Sequence, residues 1–113
     1  MSLPLTYVKA EEDRFFEEYH RLWATLASLY DAMGKTDKEL IREYIQACDL
    51  SVIEEILADG RRFLGQNELP MRLIATNANR YLVTEAEQRQ WLQTLLDRVQ
   101  AELDAREAGA KRG

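Results

Sequence analysis

The sequence predicts an all-α protein, a compact bundle of about five helices with a long first and a long last helix. Apolar residues recur three and four positions apart along most of the chain, which is the period of an amphipathic helix. Three Ser or Thr residues, each followed three positions later by Glu, stand before such apolar runs as capping boxes, a signature of helix starts. The chain has only five glycines and two prolines, which argues against a turn-rich β sandwich.

The first helix is predicted over about residues 11–33, after an extended lead-in over residues 1–10 that Pro4 keeps out of a helix. Its first turn is acidic, which offsets the positive end of the helix dipole, and Gly34 stands just past its end. The apolar stripe is wide enough to pack against two neighbouring helices. One row of this stripe is Phe15, Tyr19, Leu22, Leu26, Leu29 and Met33, and a second row is Phe16, Trp23 and Tyr30.

Capping boxes mark the predicted starts of the second and third helices, at Thr36 and Ser51. In each box the hydroxyl is expected to accept a hydrogen bond from the backbone N–H of the Glu three residues later. The second helix is predicted to end its buried face at Cys48, and the third to stop at Gly65. Gly60 lies inside the third helix, where it costs up to about 1 kcal/mol relative to Ala. It indicates either a close helix contact or an early helix end.

The last two helices are predicted to differ in length. The fourth covers about residues 69–81 and has Pro70 in its first turn. The fifth starts at the third capping box, Thr84 with Glu87, and fades near Arg106.

These elements predict one domain, which suits a chain of 113 residues. The helical domain covers residues 11–106, between the extended lead-in over residues 1–10 and a flexible basic tail over residues 107–113.

The chain has no recognisable motif for catalysis, nucleotide binding or zinc binding, which predicts a protein that is not an enzyme and uses no cofactor or metal. Cys48, the only cysteine, excludes a disulfide within one chain and is interpreted as a small hydrophobic residue. Glu17 and His20 have the E-x-x-H spacing of one quarter of a di-iron bundle site, whose second histidine only a symmetric dimer would supply. The favoured interpretation is a histidine at the edge of the apolar stripe, near Phe16 and Trp23.

The charge of the chain is uneven. The net charge is −5, with six basic and thirteen acidic side chains in residues 1–59 and nine basic and seven acidic ones in residues 60–113. Acidity argues against nucleic acid as a partner and favours a basic protein, because opposite fields speed encounter; the alternative is that acidity only maintains solubility. We expect a cytoplasmic protein, because the sequence shows neither a signal peptide nor an apolar run that would span a membrane.

Two groups of residues are candidate partner-binding positions. The first is the acidic start of the first helix, where Phe16 would supply an aromatic anchor; the alternative is a solvated first turn that only complements the dipole. The second is a group of four arginines in the middle of the chain, Arg61, Arg62, Arg72 and Arg80. They would form an anion site or an interface patch; the alternative is a solvated, mixed-charge surface. The selected positions are Glu11, Glu12, Asp13, Phe16, Glu17, Glu18, Arg61 and Arg62.

The leading functional hypothesis is a non-enzymatic protein–protein interaction module, a small acidic inhibitor or regulator of the immunity, antitoxin or anti-defence type. A first alternative is a homo-oligomeric structural or assembly subunit, such as a homodimer, in which the first or last helix forms the seam. A second is a helix-turn-helix-like nucleic-acid-binding regulator built from the third and fourth helices. The long connection from Gly65 to Pro70 and the few basic residues of the fourth helix count against it. An exposed surface that joins the charges of residues 11–18 to aromatic side chains would favour the inhibitor, and a bare apolar stripe would favour assembly.

Overall fold

A computed structural model describes residues 5–67, 69–70 and 73–112. Over these residues the chain is all-helical and forms a bundle, which confirms the predicted fold class. None of the described helices combines the length and the apolar character that crossing a membrane requires. The six helices of the described residues are α1 (Leu5–Glu18), α2 (His20–Ser28), α3 (Asp37–Gln46), α4 (Leu50–Leu64), α5 (Leu73–Ala78) and α6 (Glu85–Arg112).

The predicted first helix is in fact two helices, which meet at Tyr19. The backbone of Tyr19 leaves the helical region (φ −131°, ψ 46°), yet the apolar stripe continues through the break. The helical part also begins at Leu5, so the prediction of an extended lead-in is wrong for residues 5–10, and residues 1–4 lie outside the described residues. A proline is compatible with the start of a helix, so Pro4 does not exclude a helix that begins directly after it.

Two side chains of α4 stabilise the break on both sides. Asp59 Oδ2 accepts hydrogen bonds from the backbone N–H groups of Arg21 (3.0 Å) and Leu22 (3.3 Å), which lie in the first turn of α2. Arg62 Nη2 donates to the carbonyl oxygen of Glu18 (3.2 Å), the last residue of α1. Both partners are remote in sequence, so the periodicity of α1 and α2 contains no sign of them.

The first helix was also predicted to end too late. It was expected to reach Met33, but α2 ends at Ser28. Leu29 is nevertheless fully buried, which explains why the apolar pattern outlasts the helix. The following loop contains two left-handed residues, Met33 (φ 48°) and Gly34 (φ 79°).

Two of the three predicted helix starts are confirmed. Thr36 Oγ1 accepts from the backbone N–H of Glu39 at 3.2 Å, and Thr84 Oγ1 accepts from that of Glu87 at 3.1 Å. The start at Ser51 is wrong, because α4 begins at Leu50 and its N-cap residue is Asp49. Two residues that favour this position stand close together here, and Asp49, with extended backbone (φ −71°, ψ 156°), occupies it without a side-chain capping hydrogen bond.

Of the remaining helix ends, one agrees with the prediction and the others differ from it. Gly65 is the C-cap of α4, as predicted. The fourth predicted helix is much shorter, since α5 covers only six residues and Asn79 after it is left-handed (φ 55°). The last helix is longer than predicted and continues through residues 107–112, so this part of the predicted flexible tail is helical.

One hydrophobic cluster joins all the described helices. At its centre α4 crosses α6 closely at Gly60, where a Cβ atom would lie 2.7 Å from Leu96 Cδ1 and closer still to Cδ2. Gly60 therefore marks a close helix contact, one of the two alternatives that the sequence left open. The fully buried aliphatic side chains of this cluster include Leu22, Leu26, Leu29, Ile53, Ile56, Ile74, Leu92 and Val99.

Candidate protein-interaction surface

The amino-terminal part of the bundle carries an exposed face that is both acidic and aromatic. Phe16 is 42% exposed, whereas its neighbour Phe15 is 2% exposed. Four of the five acidic residues selected from the sequence are exposed, and Glu11 is half-buried. We call the exposed surface of this part of the bundle the acidic-aromatic surface, and define it as Glu11, Glu12, Asp13, Phe16, Glu17, Glu18, His20 and Trp23. It extends around α1, because Glu11 and Glu18 lie on the side of Phe15 and line a groove with that ring.

The packing of Phe15 explains why Phe16 faces outward. The ring of Phe15 meets Phe63 of α4 edge-on, at 5.2 Å between centroids. Successive residues of a helix point about 100° apart, so Phe16 is directed away from that contact.

Phe16 stands in a row of three aromatic rings that crosses the α1–α2 break. Its ring lies edge-on to His20 (4.9 Å between centroids) and to Trp23 (4.7 Å). His20 and Trp23 stack at 6.1 Å. The structure thus places His20 at the edge of the stripe beside these two aromatics, as the favoured interpretation expected.

A shallow polar depression adjoins this row. It has a volume of about 380 Å³ and is lined by Glu17, Glu18, His20, Arg21, Glu55 and Asp59. Arg21 Nε pairs with Glu55 Oε2 at 2.5 Å, and Asp59 is bonded to the start of α2. Neither Glu17 nor Glu18 forms an ion pair with any side chain that the structure describes. Their charges therefore define the field of the depression.

The sequence analysis missed the contributions of α4 to this site. Glu55 and Asp59 lie far along the chain from the acidic start of α1 and come to it only through helix packing. The four-residue spacing of Glu55 and Asp59 places them on one face of a helix. That spacing was the only available signal, and it does not indicate which helix the face meets.

The two arginines selected from the sequence lie in different places. The guanidinium of Arg62 lies 4.8 Å above the ring of Tyr19 and donates to the carbonyl of Glu18, at the edge of the acidic-aromatic surface. Arg61 instead donates to Gln100 Oε1 of α6 at 2.8 Å. The structure brings Arg62 to the surface as a support for the α1–α2 junction, and directs Arg61 towards α6.

The rest of the arginine group offers little to nucleic acid. Arg80 is bound to Asp37 at 2.5 Å, and Arg72 lies outside the described residues. The helix expected to read a groove is α5, four of whose six residues are buried. The helix-turn-helix hypothesis gains no support from this geometry.

Cys48 has the environment of a structural thiol. Its Sγ donates to the carbonyl oxygen of Tyr44 at 3.2 Å. Burial raises the pKa of the Cys48 thiol above its ordinary value, although Arg106 and Arg21 act in the opposite direction. This favours the protonated, unreactive form at neutral pH. Among the residues that the structure describes, no group of three or more His, Cys, Asp and Glu side chains is arranged to hold a metal ion.

No protein-family model, curated protein or solved structure matches this chain. Its class is therefore defined by its own fold and surface: an all-helical bundle whose first two helices expose an acidic-aromatic surface.

Proposed function

We propose that the protein is a non-enzymatic interaction module, a small inhibitor or regulator of the immunity, antitoxin or anti-defence type, which acts in the cytoplasm. It binds a basic partner protein through the acidic-aromatic surface. The observation that carries this proposal is the position of Phe16, a large apolar ring 42% exposed among carboxylates.

The arrangement has the two components of a specific protein interface. Binding energy concentrates in a few aromatic anchors that a partner desolvates, surrounded by polar residues that exclude water. Phe16 and Trp23 form such an anchor, and the exposed carboxylates of α1 form such a rim.

The chemistry of the surface favours a basic partner. The depression, whose lining residue His20 contacts Phe16, is lined by four carboxylates against one arginine and one histidine. A lysine or arginine of the partner would place its charge in this depression and its methylene stem against the ring of Phe16. The surrounding field would speed encounter and disfavour acidic proteins.

The test is a quantitative capture from native lysate with immobilised wild type, Phe16→Ala and the double variant Glu17→Lys/Glu18→Lys. Matched controls make comparable changes elsewhere: Tyr30→Ala removes an exposed aromatic ring of the α2–α3 loop, and Asp97→Lys/Asp104→Lys reverses two exposed charges of α6. We expect a basic protein that wild type and both controls retain and that the two test variants lose.

Binding measurements with the purified partner then give the change in Kd for each variant. Phe16→Ala should raise the Kd about 30-fold, corresponding to a hot-spot loss of about 2 kcal/mol. Added salt should slow association more than it speeds dissociation. A partner that binds the Phe16 and Glu17/Glu18 variants as well as wild type would overturn the proposal, as would recovery of no partner at physiological salt.

A further inference from the structure

Helix α6 has a second stripe outside the hydrophobic core. The core side of α6 presents Leu92, Leu96, Val99 and Leu103. A separate row, which we call the α6 seam, is exposed or half-buried and has the four-three spacing of a coiled-coil seam. It consists of Glu87, Trp91, Thr94, Arg98, Ala101 and Ala105.

Part of the seam lines an apolar groove, and a projecting segment lies beside it. The groove has a volume of about 360 Å³ and runs between α3 and α6. Its α6 side is formed by the seam residues Glu87, Trp91, Thr94 and Arg98, and Asp37, Ile41, Leu82 and Leu95 complete the lining. The segment before α6 packs Leu82 against the core but leaves Tyr81 92% exposed and Val83 58% exposed. Apolar surface of this kind, concentrated in one place, marks an interaction site.

The charges of the seam specify the occupant. Glu87 lies near its amino-terminal end and Arg98 lies three turns later. Neither forms an ion pair with any described side chain, although Arg98 shares the groove with Asp37 of α3. A second α6 laid antiparallel about a two-fold axis between positions 92 and 93 would face Glu87 with Arg98 of the other copy, and Trp91 with Thr94. A parallel arrangement would instead set like charges against each other. The stripe is therefore complementary to itself in one direction only.

We propose that the protein forms a two-fold symmetric homodimer by antiparallel pairing of α6. The seam from Glu87 to Ala105 is about 27 Å long at the rise of an α-helix. The same symmetry brings Tyr81 and Val83 alongside Ala101 and Ala105 of the other copy, where the small side chains leave room for them. Each seam contributes one negative and one positive side chain, so two acidic chains meet here without net repulsion. The acidic-aromatic surface lies on α1 and α2 and stays accessible, so this proposal is independent of the proposed function.

The test is sedimentation equilibrium on the full chain and on charge-swapped variants. Wild type is expected to be a dimer at tens of micromolar. Arg98→Glu places a second carboxylate opposite Glu87 of the other copy and should raise the dissociation constant at least about tenfold. Glu87→Arg should do the same. The double variant Glu87→Arg/Arg98→Glu restores opposite charges and should return to within about threefold of wild type.

Glu107→Arg provides the matched control, because it reverses an exposed charge of α6 on the side of the helix away from the seam and should leave the dissociation constant unchanged. Glu87 also accepts from the backbone N–H of Val83 at 2.9 Å, so a thermal melt of each variant accompanies the measurement. If Glu87→Arg weakened the dimer only by damaging this helix start, the addition of Arg98→Glu would not restore the dissociation constant. A monomeric wild type, additive losses in the double variant, or an equal loss with Glu107→Arg would each overturn the proposal.

Discussion

Asp59 and Arg62 show how single side chains of α4 determine the course of the chain near Tyr19. Asp59 replaces the cap that α2 lacks, because its N-cap residue Tyr19 makes no side-chain capping bond. A helix N-terminus leaves backbone N–H groups without partners in the helix, and a carboxylate is well suited to them by both hydrogen bonding and charge.

Asp59→Ala should therefore lower the free energy of unfolding by about 1–2 kcal/mol, the usual effect of removing an N-cap acceptor. Urea denaturation followed by circular dichroism measures this. Glu54→Ala is the control, an exposed residue of the same helix. Equal effects of the two substitutions would show that Asp59 is not a cap.

Asp37 connects three elements through its carboxylate. Its oxygens accept from Arg80, at 2.5 Å, and from the indole N–H of Trp91, at 3.2 Å. Partial burial on its own would raise the pKa of Asp37, but the hydrogen bond and charge of Arg80, the bond from Trp91 and the charge of Arg98 together hold that pKa below its ordinary value. Ionised Asp37 therefore contributes stability at neutral pH.

Asp37→Asn should lower the free energy of unfolding at neutral pH by about 1–2 kcal/mol, since a charge-assisted hydrogen bond becomes a neutral one. Because the pKa is lowered in the folded state, the contribution is present above the unfolded pKa of about 3.9 and is lost as the pH falls through the folded pKa. The difference between wild type and variant should thus narrow below about pH 4. Asp49→Asn serves as the control, and a difference that persists unchanged in acid would contradict the role of Asp37.

At the scale of the helices, the crossing of α4 and α6 depends on the absence of a side chain at Gly60. Gly60→Ala improves helix propensity by up to about 1 kcal/mol, but the new methyl group would overlap the buried Leu96. We expect a net loss of about 1–3 kcal/mol from overpacking, measured as a lower Tm and a lower free energy of unfolding. Gly109→Ala is the matched control, because a Cβ there meets no atom within 4 Å and only the gain in propensity remains. Stabilisation by both substitutions would refute the close crossing.

The starts and ends of the helices show how far the sequence determines each helix. Thr36 and Thr84 were identified as helix starts because capping is local and its partners stand three residues away. The break at Tyr19 was missed because its partners, Asp59 and Arg62, belong to another helix. The end of α2 was missed because Leu29 stays buried after the helix stops, and periodicity reports burial rather than hydrogen bonding.

Over the whole molecule, several basic residues of the second half are used internally. Arg89 donates to the carbonyl oxygens of Leu64, the last residue of α4, and of Gln66 and Asn67 after it. Arg106 donates to those of Ile45 and Cys48 at the end of α3. These cations hold loops and helix ends in place, whereas the carboxylates of α1 lie on the surface.

The candidate site was predictable only in part, because some of its residues come together through packing between helices and not through positions along one helix. The acidic run follows from positions along one helix, so the sequence indicated it. The sequence placed Phe16 in the second row of the apolar stripe, and its exposure follows from the packing of Phe15 against α4. The depression beside Phe16 needs Glu55 and Asp59 from α4, and helix packing in space determines that addition. Arg61 and Arg62 are adjacent in sequence and were expected together, but they diverge because successive helical residues point about 100° apart.

The junction at Tyr19 also determines how much conformational entropy a partner of the proposed kind would have to overcome. Asp59 and Arg62 fix α1 against α2, so the aromatic pair Phe16 and Trp23 is preorganised at 4.7 Å before any encounter. Ordering a flexible side chain on binding costs about 0.5–1.5 kcal/mol, and a surface already held in its bound form avoids that cost. In the proposed complex, Arg62 of helix α4 would contribute to affinity from behind the interface by fixing the junction, whereas Asp59 would do so both by fixing the junction and by lining the depression.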